Sequence, residues 1–223
     1  MDIMLYLVAL ILVCWSQFKV NGAYTRYRNV ATRRGYRGFE VARMILNQNG
    51  LHDVNVEMAT GGQLSDHYDP KTKTVRLSRD IYYNDSIASV SVAAHEVGHA
   101  IQHATNYAMI SLRDLILPYA VVSSKLGWTI LFLGIMFTMD ALFYVGVAML
   151  GVIALFQLVT LPVELNASKR ALTLLQSNGI ILTEEKTDCK AMLSAAAFTY
   201  IAALISTVLQ ILRLMIRRGN RRD

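Results

Sequence analysis

The sequence predicts a mostly α integral membrane protein, with three to four transmembrane helices and a small water-facing α+β lobe. Three observations predict it. The 223 residues are 54% hydrophobic and only 17% charged, with a positive mean hydropathy, too apolar for an ordinary soluble domain. Four segments are nearly free of charge, and each approaches the length needed to cross a hydrocarbon core of ~30 Å as a helix. Residues 19–114 and 164–190 carry most of the ionisable groups, so they form parts that face water.

The first apolar run, residues 3–18, is preceded by Asp2 and no cation, and is followed by Arg26, Arg28, Arg33, Arg34 and Arg37. That charge order fits an uncleaved anchor with its N-terminus outside, not a secretory leader. Within 19–114, the spacing of Val41, Ala42, Ile45 and Leu46 predicts a helix over Gly38–Gln48, stopped by Asn49 and Gly50. Strands are expected at Val54–Met58 and Gln63–Tyr68. A turn beginning at Asp69 and Pro70 leads to a returning strand at Thr74–Leu77, which makes a β-hairpin. Asn84, Asp85 and Ser86 can cap a helix from about Ile87 past His103.

Residues 115–139 and 141–161 are two apolar runs separated by Asp140, a transmembrane helical hairpin that returns the chain to the side it left. The expected organisation is an anchor (1–18), a lobe (19–114), the hairpin (115–162), a helix and loop (163–190), and an apolar helix with a basic tail (191–223). Arg213, Arg217, Arg218, Arg221 and Arg222 sit in that tail. A net charge of +6 divided between two juxtamembrane clusters reads as anchoring and not as a nucleic-acid surface. Cys14 and Cys189 provide neither a disulfide framework nor a thiolate metal site. Lys125 is the one cation deep in a span, too little for an ion pathway.

The sharpest chemical signal is His95-Glu96-Val97-Gly98-His99 inside the predicted helix. Positions four apart share a helix face, so His95 and His99 can present imidazole nitrogens to one Zn2+. Glu96, displaced toward the adjacent face, can take a proton from an attacking water without occupying a coordination position, as the general base of peptide hydrolysis requires. A catalytic zinc needs a third protein ligand. His103 lies four residues beyond His99, but three imidazoles at successive i+4 steps of one straight helix do not converge easily. Glu164 is the stronger candidate, because the hairpin returns it to the side of His95 and a carboxylate just beyond an apolar span needs a positive partner. Lys169 or Arg170 could supply that charge instead of a metal.

The segments Gly62–Pro70, Thr74–Ser78, His95–His103 and Leu161–Ser168 resemble the YugP-like neutral zinc metallopeptidases of bacterial membranes, and the resemblance covers nearly the whole chain. It implies a gluzincin-type site in a zincin-like lobe, distantly similar to the HtpX and CAAX-prenyl proteases, with His95, His99 and Glu164 as ligands and Glu96 as base. Glu164 and Ala167 match the pattern of those relatives, whereas Ser168 stands where they carry an aspartate. The resemblance also makes the strand at Leu64–Tyr68 an edge to which an extended substrate adds. Asp66, His67 and Tyr68 then become candidates to support the site or bind substrate, and Tyr200 a weaker one. As surface residues of a hairpin, Asp66, His67 and Tyr68 would instead only flank a turn. The expected partners are a lipid bilayer and a protein or peptide substrate, at a multi-pass cell membrane with the catalytic side cytoplasmic. The competing reading is a non-catalytic scaffold that keeps zinc for structure.

Overall fold

The computed structural model describes residues 2–219, so Arg221 and Arg222 of the basic tail lie outside the described residues. The helices are α1 (Asp2–Tyr27), α2 (Gly38–Gln48), α3 (Arg79–Tyr83), α4 (Ile87–Ala104), α5 (Ala108–Met136), α6 (Asp140–Ser177) and α7 (Lys186–Gly219). A three-stranded sheet is formed by β1 (Asn55–Met58), β2 (His67–Asp69) and β3 (Thr74–Leu77). Among the described residues, four helical stretches are long and apolar enough to cross a membrane: Ile3–Tyr27, α5, α6 and Thr183–Gly219. The chain is therefore a mostly α membrane protein with a small α+β lobe, as its composition requires.

Two compact units divide it. The first comprises residues 1–17, 108–162 and 198–223, the second residues 18–107 and 163–197. In the first unit, α5 and α6 approach closely where Gly146 faces Leu131, since a Cβ on Gly146 would stand 2.7 Å from the Leu131 Cα. Small residues at such a crossing let two backbones meet in an environment that gives no hydrophobic drive between helices. Leu131, Phe143 and Leu150 fill the same interface, with Ile211 and Leu214 of α7 against them. Arg218 reaches Asp140 and stacks over Phe143, while Arg213 lies over the Tyr6 ring. These two arginines of the expected anchoring cluster thus also knit helices together.

The second unit holds the sheet and α2, α3 and α4. The strand order is β1-β3-β2, with β1 parallel to β3 and β2 antiparallel to it. The hairpin is present, but its first strand is confined to His67–Asp69. Residues 63–66 are not strand, because Leu64 takes a left-handed φ of 62° and Asp66 turns its carboxylate onto the Ser78 amide and hydroxyl. Asp69 closes the turn by accepting from the Lys71 amide and the Thr72 hydroxyl. Ser86 caps α4 through the Ser89 amide, and Arg43 of α2 fastens the approach to β1 by donating to the Leu51 and Val54 carbonyls. Val41, Ile45, Leu46, Val75, Leu77, Ile87 and Val97 are completely or almost completely buried together with Ala171 and Leu175 of α6.

Three boundaries differ from the sequence expectation. The first helix continues past Phe18 to Tyr27, because Gln17 and Lys19 are compatible with helix even where they end an apolar run. Likewise α6 passes through Pro162 without ending, although the two units divide there; a membrane helix tolerates the one hydrogen bond that a proline removes. Finally, the apolar stretch 191–212 is the middle of a single 34-residue helix.

The residue that brings α4 against α6 is Gly98. It is buried, and a Cβ there would meet the Ala167 carbonyl oxygen at 3.0 Å and its Cα at 3.3 Å. Those atoms are helical backbone and cannot swing aside. Gly98→Val is expected to lower stability by about 2 kcal/mol, an overpacking cost that exceeds the helix-propensity gain of about 0.5 kcal/mol over glycine. Thermal unfolding of the detergent-solubilised variant beside the parent measures it.

Candidate metal centre

Helix α4 buries Ala93, Ala94, Val97, Gly98 and Ala100, together with the polar Glu96, His99 and Gln102. Polar side chains on a buried face need partners. The facing stretch of α6 supplies them: Val163, Glu164 and Ala167 are buried opposite. All these groups belong to the second unit.

His95, His99 and Glu164 come together there, their donor atoms all within 4.8 Å of one another. The Glu164 Oε2 lies 3.2 Å from His95 Nε2 and 3.6 Å from His99 Nε2, and the two Nε2 atoms are 3.2 Å apart. Ligands about 2.0–2.1 Å from a tetrahedral zinc stand about 3.3 Å from one another, so the three spacings fit such an ion. The Glu164 side chain is only 7% exposed, and its contacts are with the two imidazoles. Arg170, the alternative cationic partner, donates instead to Asn166. Burial works to lower the His99 pKa, yet the facing Glu164 and the Glu96 charge hold it above the ordinary imidazole value. The site therefore favours positive charge where the three donors meet.

Both imidazoles are also held from behind. Ser168 Oγ is 3.2 Å from His95 Nδ1, and the Gln102 Oε1 is 3.0 Å from His99 Nδ1. With each Nδ1 engaged, each Nε2 is left to face the ion, the usual arrangement of metal-binding histidines. Ser168, which departs from the pattern expected at this position, thus reaches His95. Gln102 escaped the sequence reading, as did Asn166, which receives a hydrogen bond from it. The available signal was the spacing: Gln102 follows His99 by three, on the same helix face.

Glu96 is buried, and among the described residues it makes no hydrogen bond within the chain, which leaves its carboxylate for a water or a substrate. His103 does not join the donor group; its ring packs against Tyr68 of β2, centroids 5.6 Å apart. His67 is exposed, its Nδ1 donating to the Ser65 carbonyl at 2.8 Å. Tyr68 is half-buried against the core. Tyr200 belongs to the first unit, where it lines an apolar cavity with Gln157 and Thr160.

The pattern of a helix-borne H-E-x-x-H with a carboxylate on a later helix, in a chain with four candidate spans, is that of membrane zinc peptidases. Comparison with known proteins agrees: the model of the family described as "Putative neutral zinc metallopeptidase" matches residues 2–218, and the chain belongs to that family. It is 43% identical over 222 residues to a protein of Bacillus subtilis (strain 168) described as "Putative membrane protease YugP", covering 99% of this chain and 98% of that one. No solved structure matches.

Asp66 is the other notable acid of this region. Burial pushes its pKa up to about 6, against the donation from Ser78, and the Glu96 charge adds to the rise. A carboxyl whose folded pKa exceeds its unfolded value favours the fold while protonated. Its contribution is complete below pH ~4 and is lost as pH rises through about 6. Asp66→Asn keeps an acceptor for the Ser78 amide and removes the charge. It is expected to be about 2 kcal/mol more stable than the parent at pH 8 and equal to it below pH ~4, as thermal unfolding across that range would show.

Proposed function

We propose that the protein is a membrane-embedded zinc endopeptidase in which His95, His99 and Glu164 hold the metal and Glu96 is the general base. The observation that carries this reading is the convergence of two Nε2 atoms and one carboxylate oxygen at 3.2–3.6 Å, beside Glu96, which makes no hydrogen bond among the described residues. When bound, zinc supplies Lewis acidity toward the scissile carbonyl and makes water acidic enough to ionise near neutral pH.

The chain's own residues do the rest. Glu96 accepts a proton from the attacking water as its oxygen adds to the carbonyl carbon. It then returns that proton to the nitrogen as the C–N bond breaks, so the carboxylate is regenerated. Glu164 contributes the one negative charge among the three donors, and the buried α4–α6 interface excludes bulk solvent behind them, which strengthens each electrostatic interaction. The substrate is a protein or peptide close to the membrane surface. β2 is an edge of the sheet, which supports recognition of an extended segment by added-strand pairing and hence tolerance of many sequences. His103, Asp66 and Tyr68 are proposed to shape the ground beside that edge.

Two variants separate catalysis from metal binding. Glu96→Gln is expected to keep close to one zinc per chain and to lose at least about a hundredfold of its cleavage of an unfolded protein substrate. Glu164→Ala is expected to lose the metal, read by elemental analysis of the detergent-purified protein. Zinc with no turnover by the parent under any condition would favour the structural scaffold, and no zinc at all would overturn the metallopeptidase reading.

We propose that the catalytic side is cytoplasmic, a reading that the arginines from Arg26 to Arg37 support and that the arginines ending α7 oppose if that helix crosses the membrane. A single cysteine introduced at Thr60, an exposed position, in a Cys14→Ser, Cys189→Ser background is expected to be protected from an impermeant thiol reagent in intact cells and labelled after lysis. Labelling in intact cells would reverse the orientation.

A further inference from the structure

The α4–α6 interface contains a chain of polar side chains whose donor and acceptor roles can be fixed one from another. The Val163 backbone carbonyl can only accept, and the Gln102 side-chain atom 2.8 Å from it is therefore the amide nitrogen. That nitrogen also donates to Asn166 Oδ1 at 3.0 Å. The identity of Oδ1 is fixed in turn by the Arg170 Nε, a pure donor at 2.8 Å. The remaining Gln102 atom is then the carbonyl oxygen, which faces His99 Nδ1 at 3.0 Å. A carbonyl oxygen cannot donate, so His99 carries a proton on Nδ1, and its neutral ring presents the lone pair of Nε2 to the site. Gln102 is completely buried, and each of its side-chain hydrogens and its oxygen has a partner.

Resting on the metal reading above, we propose that Gln102 is a positioning residue that fixes the tautomer and ring orientation of His99 for the metal, and that Arg170 and Asn166 lock Gln102 in turn. Two features separate this from an ordinary buried tie between helices. The hydrogen bond to His99 ends on the ring atom opposite the donor nitrogen, where partners of metal-binding histidines act. Further, Gln102 binds α6 at Val163 and Asn166, the residues flanking Glu164 by one and by two. The same side chain therefore sets the distance from His99 to the third ligand. A glutamine holds the proton on Nδ1 without the negative charge that a carboxylate would add, and the hydroxyl of Ser168, 3.2 Å from His95 Nδ1, is likewise uncharged. The two imidazoles are thereby oriented without a further carboxylate beside them.

The experiment compares the parent, Gln102→Met and Asn166→Ala in detergent by three measurements: zinc affinity against a competing chelator, the visible spectrum of the cobalt-substituted protein, and unfolding temperature without metal. Methionine matches glutamine in length and helix preference and removes all three hydrogen bonds. Gln102→Met is expected to bind zinc 10- to 100-fold more weakly, with altered cobalt bands. Asn166→Ala, at a part-exposed position, keeps the Val163 bond and is expected to lose severalfold in affinity. A tie that serves folding alone would lower the metal-free unfolding temperature and leave affinity and spectrum as in the parent, and that result overturns the proposal. Asn166→Ala also provides the test should Gln102→Met fail to fold, since parental affinity and spectrum in Asn166→Ala would remove the locking role on which the proposal depends. Absence of zinc from the parent would overturn the metal centre itself, whereas zinc bound equally by parent and variants overturns this inference alone.

Discussion

The contact on which the site depends is the approach of α4 to α6 at Gly98 and Ala167. With the Ala167 carbonyl 3.0 Å from where a Cβ would be built, the two backbones are closer than a side chain at this position comfortably permits. Every interhelical distance of the site is set from that point. One turn along α4 on either side stand His95 and Gln102, and α6 presents Glu164, Asn166 and Ser168 within a turn of Ala167. Hydrogen bonds of 2.8–3.2 Å between these residues have little tolerance for a shift of a few tenths of an ångström. A small residue at the crossing is thus a chemical requirement as much as a packing one.

Charge explains why the interface is stable as a polar one. A buried carboxylate without a cation is costly, yet α6 carries Glu164 against α4 while the neighbouring Arg170 is turned to Asn166. The imidazole pair and the cation that the site favours take the place of an arginine. Glu96, a second acid, on α4, adds to that preference for positive charge and raises the pKa of half-buried Asp66. The hydroxyl and amide behind the two histidines orient them without a further negative charge, in keeping with a region already rich in carboxylates.

Much of this was legible in the chain itself. The helix over Gly38–Gln48, the capped helix at Ile87, the turn at Asp69 and the four apolar stretches each follow from local rules of periodicity, capping and hydropathy, which act over a few residues. The H-E-x-x-H was readable because its geometry is contained in one helix. Less was visible of elements whose limits are set from outside. The strand before the turn shrinks to three residues because Asp66 is drawn to Ser78, twelve positions away, and Pro162 fails to end α6 because a membrane helix absorbs the missing bond. His103 shares the face of His99 by spacing, but packs with Tyr68, a partner on another element.

Sequence alone therefore determined which residue types could bind a metal and act as a base, since that follows from side-chain chemistry and helical repeat. It also determined that the chain resides in a membrane, since apolar length decides that. Only the tertiary structure decided which glutamine, serine and asparagine stand behind the donors, and that Arg170 does not neutralise Glu164. The ties that cross from α4 to α6 join residues 61 to 73 positions apart in the chain. They are fixed by the close crossing of two helices, a distance that no local pattern encodes.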